Sequence, residues 1–261
     1  MKHFIHYKNI FTLVAKWILF LFFSFNFFSL AKAEEIGRTN FGTGFFVTDQ
    51  GYILTAYHIL RENDKTLVKL SDDSKFYSAE IIKVDSMLDL ALLRINKSSH
   101  ALKFASWDSV PIGLEVCSIG FNMLGGQGAG VKITQGLINA DEGINGLKRF
   151  FQLSAEIEKG NSGGPVLSPD GLVVGLVELK LNALSVAEKI KDLPQNVNFA
   201  LKSRPILRFL DTTPVHIESQ SLNLGVNLRP YEILKKTQSS IVLVVSTNKD
   251  EANKFENESK N

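Results

Sequence analysis

The 261-residue sequence holds one cysteine, three methionines, two tryptophans and seven prolines. A single cysteine excludes any intramolecular disulfide, so stability must come from a packed core rather than cross-links. The 19 glycines follow no collagen period, and 44% hydrophobic with 21% charged residues excludes disorder along the whole chain. The formal charge of +2 gives no reason to expect nucleic acid. Residues 1–33 hold four of the 29 basic residues (Lys2, Lys8, Lys16, Lys32) and none of the 27 acidic ones. The remainder therefore has 25 basic and 27 acidic residues, net −2, without the concentrated basic face that phosphate binding requires.

What residues 1–33 do have is 8 of the 19 phenylalanines, in a basic stretch, an apolar run from Trp17 to Leu30 and then Ala31-Lys32-Ala33. Small residues at −3 and −1 predict a secretory signal peptide cleaved after Ala33. The alternative is an uncleaved membrane anchor, interrupted by Lys16 and Asn26. Both readings export the body, to the periplasm or to the periplasmic face of the inner membrane. Cys117 sits in the apolar segment Val116-Cys117-Ser118-Ile119 and reads as a small buried hydrophobe.

From residue 34 onward, short β-rich runs alternate with polar turns. Phe45–Val47, Tyr52–Leu54, Leu67–Leu70, Ala79–Val84 and Leu90–Ile95 form one set. Glu115–Phe121, Val131–Asn139, Arg149–Leu153, Pro165–Leu167, Leu172–Leu179 and Asn196–Leu201 form a second. Strands at this spacing without intervening helices predict an all-β fold of two six-stranded antiparallel barrels. Ser203–Leu210 and Pro230–Ser239 have helical patterning, and Ile241–Val245 predicts a last strand. The expected domains are 1–33 as signal peptide, 34–210 as the double barrel and 211–261 as a helix–strand extension whose charged end, from Lys249, frays.

The strongest chemical signal is Gly160-Asn161-Ser162-Gly163-Gly164-Pro165. Glycines around one serine make a tight turn whose amides can converge beside the hydroxyl, which is what the oxyanion of acyl transfer needs. The expected oxyanion hole is built from Gly160, Asn161 and Ser162, with the amides of Gly160 and Ser162 as donors. Serine needs a base and an orienting carboxylate. His58 follows a predicted strand, and Asp89 opens the otherwise apolar Asp89-Leu-Ala-Leu-Leu93. An acid at the lip of a buried strand is costly unless paired, and an imidazole N–H is a suitable partner. The turn also satisfies the nucleophile elbow of α/β-hydrolases, but that fold orders its triad serine, acid, histidine, and only His216 lies downstream. Neither the Gly125–Gly130 loop, read as a rim of the cleft, nor His100 or His216 has a neighbour suited to phosphate or metal, so no metal or other cofactor is expected.

Together, Gly42-Thr-Gly-Phe-Phe-Val47, Gly51-Tyr-Ile-Leu-Thr-Ala-Tyr-His58, Asp85-Ser-Met-Leu-Asp-Leu-Ala-Leu-Leu93 and Gly160-Asn-Ser-Gly-Gly-Pro165 resemble the trypsin-like serine proteases, specifically the bacterial high-temperature-requirement (HtrA, or Deg-type) branch. The likeness spans roughly residues 41–210. It implies a chymotrypsin-like fold with the site between barrels, His58 and Asp89 from the first and Ser162 from the second. It further implies a serine endopeptidase acting on unfolded or extended polypeptides. A protease-fold binding or chaperone-like protein with a latent site is the alternative. Substrate contacts would fall on Glu156, Ile157, Leu176, Val177 and Glu178. Glu156 lies six residues before Ser162, where trypsins carry the acid at the floor of the specificity pocket, so a preference for basic residues is a minor expectation. Two departures stand out. Only Glu34–Asn40 precede the first motif, short for an opening strand, and Ile241–Val245 could dock there or cover an edge; the 51 residues after Leu210 are too few for the usual PDZ module.

Overall fold

A computed structural model of the chain describes residues 39–122, 130–178 and 197–258. Most of the Gly-rich loop read above, Gly125–Ala129, lies outside these residues. The first six strands are β1 (Asn40–Phe46), β2 (Tyr52–Ala56), β3 (Lys65–Leu70), β4 (Phe76–Ser78), β5 (Glu80–Asp85) and β6 (Leu90–Arg94). A second group holds β7 (Phe104–Ala105), β8 (Glu115–Phe121), β9 (Val131–Ala140), β10 (Phe150–Leu153), β11 (Pro165–Leu167), β12 (Val173–Val177) and β13 (Asn198–Lys202). The chain continues through helix α1 (Ser203–Leu210), β14 (Ser219–Gln220), α2 (Pro230–Thr237), β15 (Ile241–Thr247) and α3 (Lys249–Glu258).

The second group forms the expected six-stranded barrel, in the order β11-β8-β9-β10-β13-β12, and β11 pairs with β12 to close it. Closure removes the unpaired backbone groups that an open edge would present. The first sheet differs from the expected six strands. Its order is β4-β3-β15-β1-β2-β6-β5, so a seventh strand has entered, and β4 and β5 are its ends. β15 sits between β1 and β3, antiparallel to both, with Val244 opposite Gly42 on one side and Val68 on the other. All seven residues of Ile241–Thr247 are buried. A run rich in β-branched residues is what a strand covered on both faces requires, and such a strand is stable only in a sheet interior. The tail thus supplies the strand between β1 and β3.

The charged end, read from the sequence as frayed, is helical: in α3 Ala252 is fully buried and Phe255 nearly so. Phe255 packs on Phe76 at 5.1 Å with the rings tilted by 49° and meets Phe41 edge-on at 6.5 Å. Two apolar residues three apart suffice to dock one face of an otherwise polar helix. One apolar cluster runs through both sheets, joining Phe45, Leu92 and Val244 to Ile119, Leu176 and Leu201, and Phe45 packs on Phe104. Cys117 is part of it, and burial pushes its thiol up to about 11, which makes it inert as a nucleophile at neutral pH.

Candidate active site

His58 lies on a single 3-10 turn, Tyr57–Ile59, immediately after β2. Asp89 precedes β6 and has φ 52°, a left-handed conformation that aspartate adopts more readily than most residues. That turn presents both carboxylate oxygens to one residue. The His58 backbone N–H donates to Asp89 Oδ1 at 2.8 Å, and ring Nδ1 donates to Oδ2 at 2.5 Å. The Tyr57 amide donates to the Asp89 carbonyl at 2.9 Å, tying the two turns together. Burial pushes the Asp89 carboxyl up, but the hydrogen bonds from His58 and Glu178 outweigh it and hold the acid below the usual carboxylate range. With Nδ1 donating to Asp89, the neutral ring keeps its lone pair on Nε2, the form a general base requires.

The serine turn is pinned to the first sheet. Thr43 of β1 donates its amide to the Ser162 carbonyl at 2.8 Å and its hydroxyl to the Gly160 carbonyl at 2.6 Å. Gly163 has φ +81°, and a Cβ there would lie 2.3 Å from the Thr43 carbonyl and 2.6 Å from the Ala56 nitrogen, two residues before His58. Only glycine permits that approach. Gly160 is also left-handed, at φ +104°. Asn161, expected in the oxyanion hole, is otherwise engaged: its amide donates to Glu158 O at 3.0 Å and its Oδ1 accepts from Glu158 N–H at 2.7 Å. It shapes the turn instead. Among the described residues, the amides of Gly160 and Ser162 meet no acceptor, which leaves both donors free of backbone partners. Ser162 is 4% exposed and makes no hydrogen bond to His58 among the described residues.

The residues read from the sequence as substrate contacts take several positions. The Glu156 side chain is 63% exposed and pairs with Lys132 Nζ at 3.3 Å, so it is a surface ion pair and not the floor of a pocket. Ile157 is half-buried against the second core cluster. Leu176 and Val177 are fully buried, and the Val177 backbone is taken up by Gly163 N–H and Gly164 O. Their side chains belong to the core.

Glu178 lies beside His58 and Asp89. It follows the buried strand β12, is 5% exposed, hydrogen-bonds Asp89, and puts Oε1 3.8 Å from His58 Nδ1. The signal was present in the sequence, since Glu178, like Asp89, is an acid at the lip of a wholly apolar strand. His58, Asp89 and Glu178 bring their polar atoms within 4.8 Å of one another. Nδ1 and both Asp89 oxygens are already engaged within the group, so it is a hydrogen-bonded network and not an open set of metal ligands.

Residues 42–176, half of the chain, match the family model described as the trypsin-like peptidase domain. The chain is 37% identical over 147 residues to the magnetosome formation protease MamE of Paramagnetospirillum magneticum, covering 52% of this chain and 20% of that protein. It is 40% identical over 141 residues to a probable periplasmic serine endoprotease, DegP-like, of Chlamydia muridarum, covering 52% and 27%. The chain therefore spans less than a third of these relatives. A serine endoprotease structure from Yersinia pestis superposes with a TM-score of 0.53 at 26% identity, over 66% of this chain and 56% of that one. The family match falls on the strands and turns that seat His58, Asp89 and Ser162, and the chain belongs to the trypsin-like peptidase family.

Proposed function

We propose that the protein is an exported serine endopeptidase that cleaves unfolded or extended polypeptides through an acyl-enzyme. The observation that carries this reading is the two-point seat of His58 on Asp89, beside a serine turn with two unengaged amides. Ser162 Oγ attacks the scissile carbonyl while His58 Nε2 takes its proton and later returns it to the leaving amine. Asp89 holds the ring in the Nδ1–H tautomer and stabilises the imidazolium, and the Gly160 and Ser162 amides receive the oxyanion. A substrate strand closing over the turn would draw Ser162 and His58 into contact, as catalytic hydrogen bonds commonly tighten in the Michaelis complex. Polypeptide is the only partner this chemistry requires. Residues 1–33 are read as the export signal, in keeping with the periplasmic name of the Chlamydia relative. Residues 34–210 are read as the protease domain and 211–261 as an extension built into it through β15.

The absent Ser162–His58 bond favours, as a second reading, a protease-fold binding protein at rest with a latent site. Casein cleavage by the mature protein and by Ser162→Ala separates the two. The endopeptidase reading expects the variant to lose about 10⁴-fold or more in kcat. Equal turnover by both proteins would dismiss it, and silence of both would favour the latent form.

A further inference from the structure

We infer that Thr43 is a positioning residue of this site, whose hydroxyl aims the Gly160 amide at the oxyanion by holding the neighbouring Gly160 carbonyl. The inference rests on the reading of the Gly160 and Ser162 amides as the oxyanion donors.

Thr43 is fully buried where β1, β8 and the serine turn meet. Its Oγ1 accepts from the Phe121 N–H, at the end of β8, at 2.9 Å and donates to the Gly160 carbonyl at 2.6 Å. Both directions are forced, because an amide can only donate and a carbonyl can only accept, so the one hydroxyl proton goes to Gly160. Gly120 lets β8 come this near: a Cβ there would lie 2.9 Å from Thr43 Oγ1. A valine in place of Thr43 would fill the same space and leave the Gly160 carbonyl and the Phe121 N–H without this partner.

The two oxyanion amides are not held alike. The Ser162 N–H shares a peptide unit with the Asn161 carbonyl, which accepts from the Gly164 N–H at 2.9 Å. The C=O and N–H of one unit lie in a plane and point opposite ways, so that bond sets the Ser162 donor. The Gly160 N–H shares its unit with the Lys159 carbonyl, which accepts no hydrogen bond among the described residues. Gly160, at φ +104°, has no Cβ to limit rotation. Its amide is therefore set from the following unit, Gly160–Asn161. The N–H of that unit bonds Glu158 O inside the same turn at 3.0 Å, whereas its C=O is held from the first sheet by Thr43. With that plane fixed, the φ torsion of Gly160 alone directs the donor.

The test compares the full-length protein with Thr43→Val, which removes the hydroxyl, and Thr43→Ser, which keeps it, reading kcat and KM on a peptide substrate. Because the oxyanion exists only on the way through the transition state, Thr43→Val should lower kcat about 10- to 100-fold with KM within about 3-fold, and Thr43→Ser should retain kcat within about 3-fold. Ser168→Ala controls for stability. It removes another buried hydroxyl, which accepts from the Leu172 N–H at 3.1 Å in the turn after β11, and should leave kcat within about 3-fold. Full activity of Thr43→Val, or an equal loss in Thr43→Ser or in Ser168→Ala, would overturn the proposal. A readout independent of turnover uses Gly160-Asn161, the one Gly-Asn pair in the sequence. Glycine labelled with carbon-13 at the carbonyl and asparagine labelled with nitrogen-15 give a single NMR correlation, from the peptide unit that Thr43 holds. Displacement of that signal in Thr43→Val but not in Thr43→Ser supports the proposal, and an unmoved signal in Thr43→Val refutes it. If the wild-type protein cleaves nothing while the signal is displaced, the endopeptidase reading fails and the hold of Thr43 on Gly160 stands.

Discussion

The two sheets solve the same problem in different ways. The second closes on itself within residues 115–202, β11 pairing on both sides. The first does not close, and it reaches forward to residues 241–247 for a strand set between β1 and β3. The candidate site is divided along the same line. His58 and Asp89 belong to the sheet that depends on a distant strand, Ser162 and Glu178 to the barrel that does not. His58 and Asp89 are therefore coupled to the tail through β1, whose Thr43 also grips the serine turn.

Substitutions can break that comparison. The largest expected effect is on chemistry in the open sheet: Asp89→Asn should lower kcat about 10⁴-fold, since an amide favours the wrong imidazole tautomer. The same variant reads out pH-dependent stability. Because the folded Asp89 carboxyl is held below its unfolded value, its contribution is present above about pH 4 and is lost as pH falls through the lower folded value. Wild type should therefore lose stability below about pH 4 more steeply than Asp89→Asn in acid titrations followed by urea melts. Next comes the inserted strand. Val244 is fully buried, and Val244→Pro removes a ladder donor at a cost of about 3 kcal/mol or more, visible as a lowered urea midpoint. Cys117 sharpens this result. Buried on β8, it should remain protected from thiol reagents in Val244→Pro if the barrel holds without the tail; fast labelling would show that the two sheets unfold as one unit through their shared core. The smallest effect belongs to Glu156→Ala, which should shift the ratio of cleavage after Lys or Arg to cleavage after Val by less than about 3-fold, because the carboxylate is solvent-exposed and screened. A larger shift, read from a peptide library, would place Glu156 in the specificity pocket after all.

How much of this was legible follows from how local each signal is. Asp89 at the lip of an apolar strand and Ser162 among glycines are short-range patterns, and the structure pairs the acid with His58 as those patterns predict. Ile241–Val245 was legible as a strand, but its partners were not, because nothing within a strand names the strand it pairs with; only complementary gaps in register do. The helix of Lys249–Glu258 was hidden because Ala252 and Phe255 are diluted by eight polar neighbours, and docking on Phe76, not propensity, holds it. Glu178 was not legible as a neighbour of His58, because the sequence of a strand does not say which residues of another sheet its end will meet. Asn161 was misplaced for a related reason: a motif lists residues, but the direction of each amide is set by the turn.

The placement of β15 has a consequence for the order of events during synthesis. Residues 39–94 leave the ribosome with a slot between β1 and β3, and nothing fills it until residues 241–247 follow about 150 positions later. The barrel carrying Ser162 can be complete well before then. A nascent chain thus carries a finished Ser162 turn for a long interval beside an unfinished sheet under His58 and Asp89, whose interior strand arrives only with residues 241–247.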